Sequence, residues 1–327
     1  MTARLIQLWM AVLLLTLVSA CGPGLGGSGK DPLGERPRVT LVARMQQIDY
    51  WKTVRLGAEA AAKEMAVTLE VVSPASEEDV QGQAALIDQV AASGKTDVLI
   101  VAANDYKGVA PAVDRAVSRG LPVINIDAEV DSPKVKSFIG IDNVEAGRQA
   151  AMRLAELIGQ RGQVAVMSFG AGPRNGEQRR QGVLEVLERR PNIEVVAVDH
   201  CYSVGTSCAE VTRSWVERFP KLQGIVALNA VSSLGVAQEM ERLGLGGKVK
   251  LVTFDSTPEE VELLQEGVIQ ATIVQNPFSM GYLGVKHAVD VLEGRKVPAR
   301  TDTGTKVIDR ENMFWLENQK LLFPFVQ

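Results

Sequence analysis

Beyond residue 38 the chain alternates short runs rich in Val and Ile with longer stretches whose apolar residues recur at helical spacing, the pattern of parallel βαβ units. Strands are expected at 39–43, 68–72, 98–102, 123–126 and 137–141, separated by helices near 51–65, 77–92 and 109–119. The second of these helices opens with Ser76-Glu77-Glu78-Asp79, a cap followed by an acidic first turn. A second series begins with a helix capped by Asn143 that runs to 158. Strands follow at 164–168, 193–198, 225–228, 251–254 and 271–274, with helices near 178–189, 208–219, 233–243 and 259–266. The strands are almost continuously apolar, as in sheets covered on both faces. The pattern therefore predicts an α/β fold of two similar, doubly wound parallel-sheet lobes.

One apolar run stands outside this alternation. Residues 8–18 follow Arg4 and end in Ser19-Ala20-Cys21, the charged start, apolar middle and small-residue end of an export signal. The run falls well short of the roughly 20 apolar residues that span a bilayer. Val18-Ser19-Ala20-Cys21 resembles the lipobox of bacterial lipoproteins, which implies a signal peptide over 1–20 and lipidation of Cys21. A plain secretory signal with a chance cysteine and an uncleaved anchor are the alternatives. They account less well for small residues and cysteine falling together at the end of the run. Residues 21–37 are rich in Gly and Pro without periodicity and read as a flexible linker. The string Gly24-x-Gly26-x-x-Gly29 within them matches a dinucleotide fingerprint, but no strand precedes it and no helical pattern follows.

About 290 residues remain, enough for two lobes of ordinary size. A net charge of −4 makes no electrostatic case for nucleic acid. His200 and His287 are the only histidines, and neither has a partner at metal-ligand spacing beyond the adjacent pair His200-Cys201. Neither a metal nor a cofactor is expected. Cys201 and Cys208, seven positions apart, suit a short disulfide in an oxidising compartment, with two buried free thiols as the alternative.

The two series match at their strand ends. Val98-Leu-Ile-Val-Ala-Ala-Asn104 precedes a helix and then Pro122-Val-Ile-Asn-Ile-Asp127; Gly224-Ile-Val-Ala-Leu-Asn229 precedes a helix and then Lys250-Leu-Val-Thr-Phe-Asp255. Ligands of open α/β sheets bind outside the carboxyl ends of the strands, so facing lobes would direct Asp127, Asn229 and Asp255 into one cleft. The bland alternative is that these residues start turns or cap the next helix.

Several segments resemble the periplasmic binding proteins of the ribose and galactose type: Tyr50-Trp51 before residues 57–65, Gly120-Leu-Pro-Val-Ile-Asn-Ile-Asp127, Gly140-Ile-Asp-Asn-Val-Glu-Ala-Gly147, Phe254-Asp-Ser-Thr-Pro258 and Ala271-Thr-Ile-Val-Gln-Asn-Pro277. They keep their order across nearly the whole chain after Arg38. The resemblance implies a type I fold with a three-stranded hinge, the crossings lying near Ile141 and Asp142, Gln275 and Asn276, and Arg300 and Thr301. The N-terminal lobe is then 38–141 with 276–300, and the C-terminal lobe 142–275 with 301–327.

Carried over by position, the resemblance implies Tyr50, Trp51, Asp127, Asn229, Asp255 and Gln275 as ligand-binding residues. Carboxylates and amides suit vicinal hydroxyls, and aromatic rings suit the C–H face of a sugar. Tyr50 and Trp51 are adjacent and cannot share a helix face, so one is expected to pack and the other to touch ligand. The chain departs from the ribose pattern at Ala128, where an arginine is usual, at Glu177 in place of a second-lobe arginine, and at Arg44 in place of a small polar residue. Arg44 is expected to pair with Asp127, with Glu177 or with an acidic group on the ligand. A small shift in register would let Arg174 or Arg179 supply the missing arginine.

These residues lead to a monomeric, lipid-anchored and non-catalytic receptor that captures a sugar or polyol by hinge closure and delivers it to the permease of an ABC importer. A sensor presenting its closed form to a membrane receptor kinase shares every feature. A glycosidase using Asp127 and Asp255 would need carboxylates about 5 to 9.5 Å apart, and no nucleophile elbow, Walker loop or metal cluster accompanies them. A regulator of the same fold would carry a DNA-binding headpiece where the export signal stands. Arg179-Arg180 and Arg189-Arg190 read as solvated helix charges. The apolar tail from 312 to 327 is expected to pack across the lobes, since Glu317 and Lys320 interrupt it.

Overall fold

The apolar runs at the middle of each sheet become short, buried strands because helices lie on both faces, whereas the runs at 68–72 and 193–200 stay partly exposed at sheet edges. The computed structural model describes residues 36–323; the expected signal peptide, Cys21, most of the linker and residues 324–327 lie outside the described residues. In chain order the first elements are β1 (Arg38–Val42), α1 (Asp49–Glu64), β2 (Thr68–Val72), α2 (Val80–Ser93), β3 (Val98–Val101), α3 (Ala110–Ser118), β4 (Val123–Ile126) and β5 (Ser137–Gly140). The second series is α4 (Asn143–Leu157), β6 (Gly162–Ser168), α5 (Arg174–Leu187), β7 (Ile193–His200), α6 (Gly205–Arg218), β8 (Leu222–Ala227), α7 (Ala230–Arg242), β9 (Lys250–Phe254), α8 (Pro258–Glu266) and β10 (Ala271–Val274). It is followed by α9 (Pro277–Leu292), β11 (Arg300–Asp302), β12 (Lys306–Asp309) and α10 (Leu316–Leu322).

Two six-stranded sheets result, ordered β11-β5-β4-β3-β1-β2 and β12-β10-β9-β8-β6-β7. The orders correspond strand for strand. Every pairing is parallel except β10 with β12. This is the type I periplasmic binding protein architecture.

The chain leaves the first sheet after Gly140 and returns to the first lobe after Val274, where α9 packs on β3, β4 and β5. Both crossings run straight into a helix cap: the Asp142 side chain accepts from the Glu145 amide, and that of Asn276 from the Ser279 amide. The cap of α4 is thus Asp142 rather than the expected Asn143, which is the first helical residue and is buried. The third crossing lies later than expected. Arg300 and Thr301 pair with Phe138 and Ile139 inside the first sheet, so the chain leaves only after Asp302 and enters β12 at Lys306. Helix α2 likewise starts at Val80, capped by Asp79, because Glu77 is drawn into the interior instead of beginning a helix.

The periodicity missed α9, whose apolar residues leave no clear polar face because it lies between α1 and the sheet. Reciprocal glycines bring α1 and α9 together. A Cβ on Gly57 would overlap the Phe278 carbonyl, and one on Gly281 the Val54 carbonyl. The second lobe repeats this with α4 and α5, where Gly147 faces the Arg179 carbonyl and Gly182 the Val144 carbonyl.

Cys201 and Cys208 are joined by a disulfide that closes the loop after β7, with Cα atoms 4.8 Å apart. The tail packs on the second lobe rather than across both. Met313 and Leu322 are buried in that lobe's core, and the Ser256 hydroxyl donates to the Leu321 carbonyl at 3.3 Å. Among the described tail residues, Leu321 reaches the rim where the lobes meet, beside Asp49 and Tyr50, and Glu317 and Lys320 lie beside the crossings.

Candidate ligand-binding site

The same backbone device presents a carboxylate at the end of β4 and at the end of β9. Asp127 and Asp255 have positive φ angles of 57° and 75°, a region in which Asp is among the residues most often found. Each donates its amide at 2.9 Å to the strand beyond, Asp127 to the Ile139 carbonyl and Asp255 to the Ile273 carbonyl. Both carboxylates therefore sit outside the carboxyl ends of their sheets, and both line one cavity between the lobes with Arg44, Tyr50, Trp51, Glu77, Phe169, Asn175, Arg179, Asn229 and Gln275.

Their partners differ. Asp127 accepts the Tyr50 hydroxyl at 2.6 Å and the Asn175 amide of the second lobe at 3.4 Å. Asp255 accepts the Ala230 amide at the start of α7 at 3.0 Å and the Gln275 amide at 2.7 Å. Burial raises the Asp127 carboxyl above its usual range against the pull of Arg44 and Arg179. Burial likewise raises Asp255 to about 6, opposed first by Arg179 and then by the Gln275 bond. Tyr50 is pushed well above the ordinary phenol value by burial and by Asp127. Uncharged or hydrogen-bonded partners are thus favoured at both carboxylates.

Tyr50 and Trp51 divide their roles at the start of α1. Their rings meet edge-on at 5.2 Å. Trp51 is buried in the core and donates its indole N–H to Glu77 at 2.9 Å, whereas Tyr50 faces the cleft and both strand-end carboxylates. Asn229 both caps α7, accepting the Ser232 amide at 2.9 Å, and lines the cleft, donating to the Ser203 hydroxyl at 3.2 Å. The cap reading of this residue is met, and the same side chain lies in the cleft. Gln275 lies in the second crossing with Oε1 buried and unpartnered.

Helix phase decides the second-lobe cation. Asn175 and Arg179, four residues apart on α5, share the face that lines the cleft. Glu177 is two positions from each and is directed elsewhere; its side chain is 42% exposed and its carboxylate faces Arg174 at 3.7 Å. It is therefore removed from the candidate set. Arg179, expected to be solvated, is buried over the Phe254 ring and donates to Asn143 and to the Leu228 carbonyl at 2.9 and 2.8 Å. Arg44 pairs with neither Asp127 nor Glu177 but with Glu77, 3.1 Å away. Sequence reading missed Glu77, Asn175, Phe169 and Ser203 as site residues. An acidic residue expected in a first helical turn and a serine inside a disulfide loop carry no periodic signal.

Among the described residues no group of three or more His, Cys, Asp or Glu side chains could hold a metal ion.

Two corresponding sheets, three crossings and a polar cleft define a bilobed binding protein. The model described as the periplasmic binding protein domain matches residues 39–296, and the chain belongs to that family, as its resemblance to the ribose and galactose type implied. It is 28% identical over 269 residues to the D-allose-binding periplasmic protein of Escherichia coli K12, covering 80% of this chain and 86% of that one. A carbohydrate transporter solute-binding protein of Agrobacterium radiobacter, solved with D-arabinose, superposes with a TM-score of 0.86 at 31% identity over 88% of this chain and 99% of that chain. An ABC transporter solute-binding protein of Agrobacterium vitis, bound to α-D-tagatopyranose, gives 0.84 at 28% identity over 88% and 99%.

Proposed function

We propose that this protein is an extracytoplasmic solute-binding lipoprotein that closes its two lobes on a sugar or related polyol and delivers it to an ABC importer. The observation that carries the reading is the convergence of buried carboxylates, guanidinium groups and amides from both lobes on one cleft. Such a set matches a ligand that both donates and accepts at each hydroxyl. Asp127, Asp255, Asn229, Gln275 and Arg44 hold hydroxyls, and Tyr50 covers part of the ring. Relatives solved with D-arabinose and α-D-tagatopyranose support this ligand class. In this reading the signal peptide ends at residue 20, Cys21 carries the lipid, and the protein acts as a monomer whose closed form docks on the permease.

Thermal melts of the chain from residue 38, with pentoses, hexoses, inositols, amino sugars and sugar acids, test the binding. A ligand at 100 times its dissociation constant adds about 2.7 kcal/mol of stability, a shift of several degrees. The expected result is a selective shift, lost in Asp127→Ala, with the sugar recovered unchanged. No shift across the panel overturns the reading, and a chemically altered sugar replaces it with an enzyme.

A further inference from the structure

A buried ion pair lies in the cleft beside the strand-end carboxylates. Arg44 follows β1, and Glu77 lies in the turn before α2. Nη2 of Arg44 is 3.1 Å from a Glu77 oxygen, and each side chain is 3% exposed. Both Glu77 oxygens are engaged elsewhere as well. One accepts the Trp51 indole at 2.9 Å; the other accepts, from the opposite lobe, the Ser203 hydroxyl at 2.8 Å. Arg44 is different. Its guanidinium stands over the Phe169 ring, its Nε is buried without a hydrogen-bond acceptor, and its Nη2 meets Glu77 as an ion pair without hydrogen-bond alignment.

Resting on the reading of this cleft as a sugar site, we propose that Glu77 sets the charge class of the ligand, reserving the cleft for uncharged sugars and polyols and rejecting sugar acids. The ionisable groups lining the cavity are two guanidinium groups, Arg44 and Arg179, and three carboxylates, Glu77, Asp127 and Asp255. Glu260 is buried close to Asp255, and exposed Glu78 adds negative potential beside Arg44. A ligand carboxylate would add a further anion to a site without an uncompensated cation, and burying such a charge is costly. Without Glu77, the free donors of Arg44 would face that carboxylate in the favoured forked geometry. With Glu77 present, the charge of Arg44 is balanced while its N–H groups still donate to a hydroxyl. Because Glu77 also takes the Ser203 hydroxyl across the cleft, the balance is completed as the lobes close.

Calorimetric titration tests this with two probes: the neutral sugar giving the largest shift in the melting panel, and the acid in which its terminal CH2OH is oxidised to a carboxylate. Wild type is expected to prefer the sugar by about 100-fold or more, the scale of one unpaired buried charge. Glu77→Gln keeps the shape of the side chain and is expected to narrow that preference by about tenfold or more, through a gain in acid affinity. Ser203→Ala removes the bridge without changing the charge, and should weaken both probes equally. Arg44→Gln is expected to sharpen rejection of the acid, and it keeps the question open to test if Glu77→Gln does not fold. Equal wild-type affinity for the two probes overturns the proposal, as does an unchanged preference in folded Glu77→Gln. If no neutral sugar binds, the sugar-site reading fails and takes the proposal with it; if one binds and the ratio does not respond to Glu77, only the proposal fails.

Discussion

The two lobes carry the same strand-end aspartate in the same backbone conformation, yet the second lobe's charged groups are bonded within that lobe and its crossing, whereas the first lobe's also reach across the cleft. Asp255 is held by the start of α7 and by Gln275, and Arg179 by Asn143 and the Leu228 carbonyl, all within the second lobe and its crossing. Asp127, held by Tyr50, also reaches across to Asn175; Glu77, held by Trp51 and Arg44, also reaches across to Ser203; and Nε of Arg44 is left without an acceptor. In the proposed mechanism the second lobe is thus organised by its own bonds, and the first adds bonds that cross the cleft. Groups already held in place reduce the ordering cost of binding a ligand.

The largest expected effects break the two aspartates. Asp127→Ala and Asp255→Ala should each lower sugar affinity by about 100-fold or more, since each removes one member of a buried, charged hydrogen-bonded set. They should part company in unliganded melts. Asp255→Ala leaves the Ala230 and Gln275 amides without their acceptor and should cost about 1–3 kcal/mol, whereas Asp127→Ala, which frees the partly buried Tyr50 hydroxyl and the more distant Asn175 amide, should cost less. Equal loss in both would refute the difference in pre-organisation.

Next come the glycine contacts, where the lobes are alike. Gly57→Val in α1 and Gly182→Val in α5 each drive a side chain into a backbone carbonyl of the packed helix. Both should destabilise by about 3 kcal/mol in denaturant melts, near the upper end for overpacking. Tolerance of one and not the other would show that the helix pairs are not equivalent.

The disulfide has no counterpart in the first lobe. Replacing Cys201 and Cys208 together with serine should cost about 2 kcal/mol for so short a loop, read from the denaturation midpoint, and the loss should be matched in wild type under reducing conditions. An unchanged midpoint would remove the loop from the list of features that set the second lobe apart.

The smallest effect is one of pH. The Asp255 carboxyl, raised by burial to about 6 in the folded chain, keeps a proton there that the unfolded chain releases. Its stabilising contribution is complete below the unfolded value of about 4 and is lost as pH rises through 6. The difference in melting midpoint between wild type and Asp255→Ala should therefore be larger at pH 4.5 than at pH 7.5. A difference that grows towards neutral pH would mean that the carboxylate is stabilised, not strained, by its site.

Much of this molecule is legible in one dimension. The βαβ order and the positions of Asp127, Asn229 and Asp255 follow from strand periodicity, because a strand ends at its sheet edge and the next residue faces whatever lies beyond, whereas Gln275 came only from the family resemblance. The Tyr50 and Trp51 split follows from helix geometry, although which residue faces the cleft does not. Helix α9 escaped because burial on two sides removes the polar face that reveals a helix.

The chain by itself determined two corresponding α/β halves and the residue types at their strand ends. Tertiary structure alone decided the charge pattern between them. A two-residue difference in phase along α5 separates Arg179 in the cleft from Glu177 at the surface, because successive helical residues turn by about 100°. Glu77 and Ser203 meet across 126 positions of sequence, and no local pattern encodes a contact between segments so far apart in the chain.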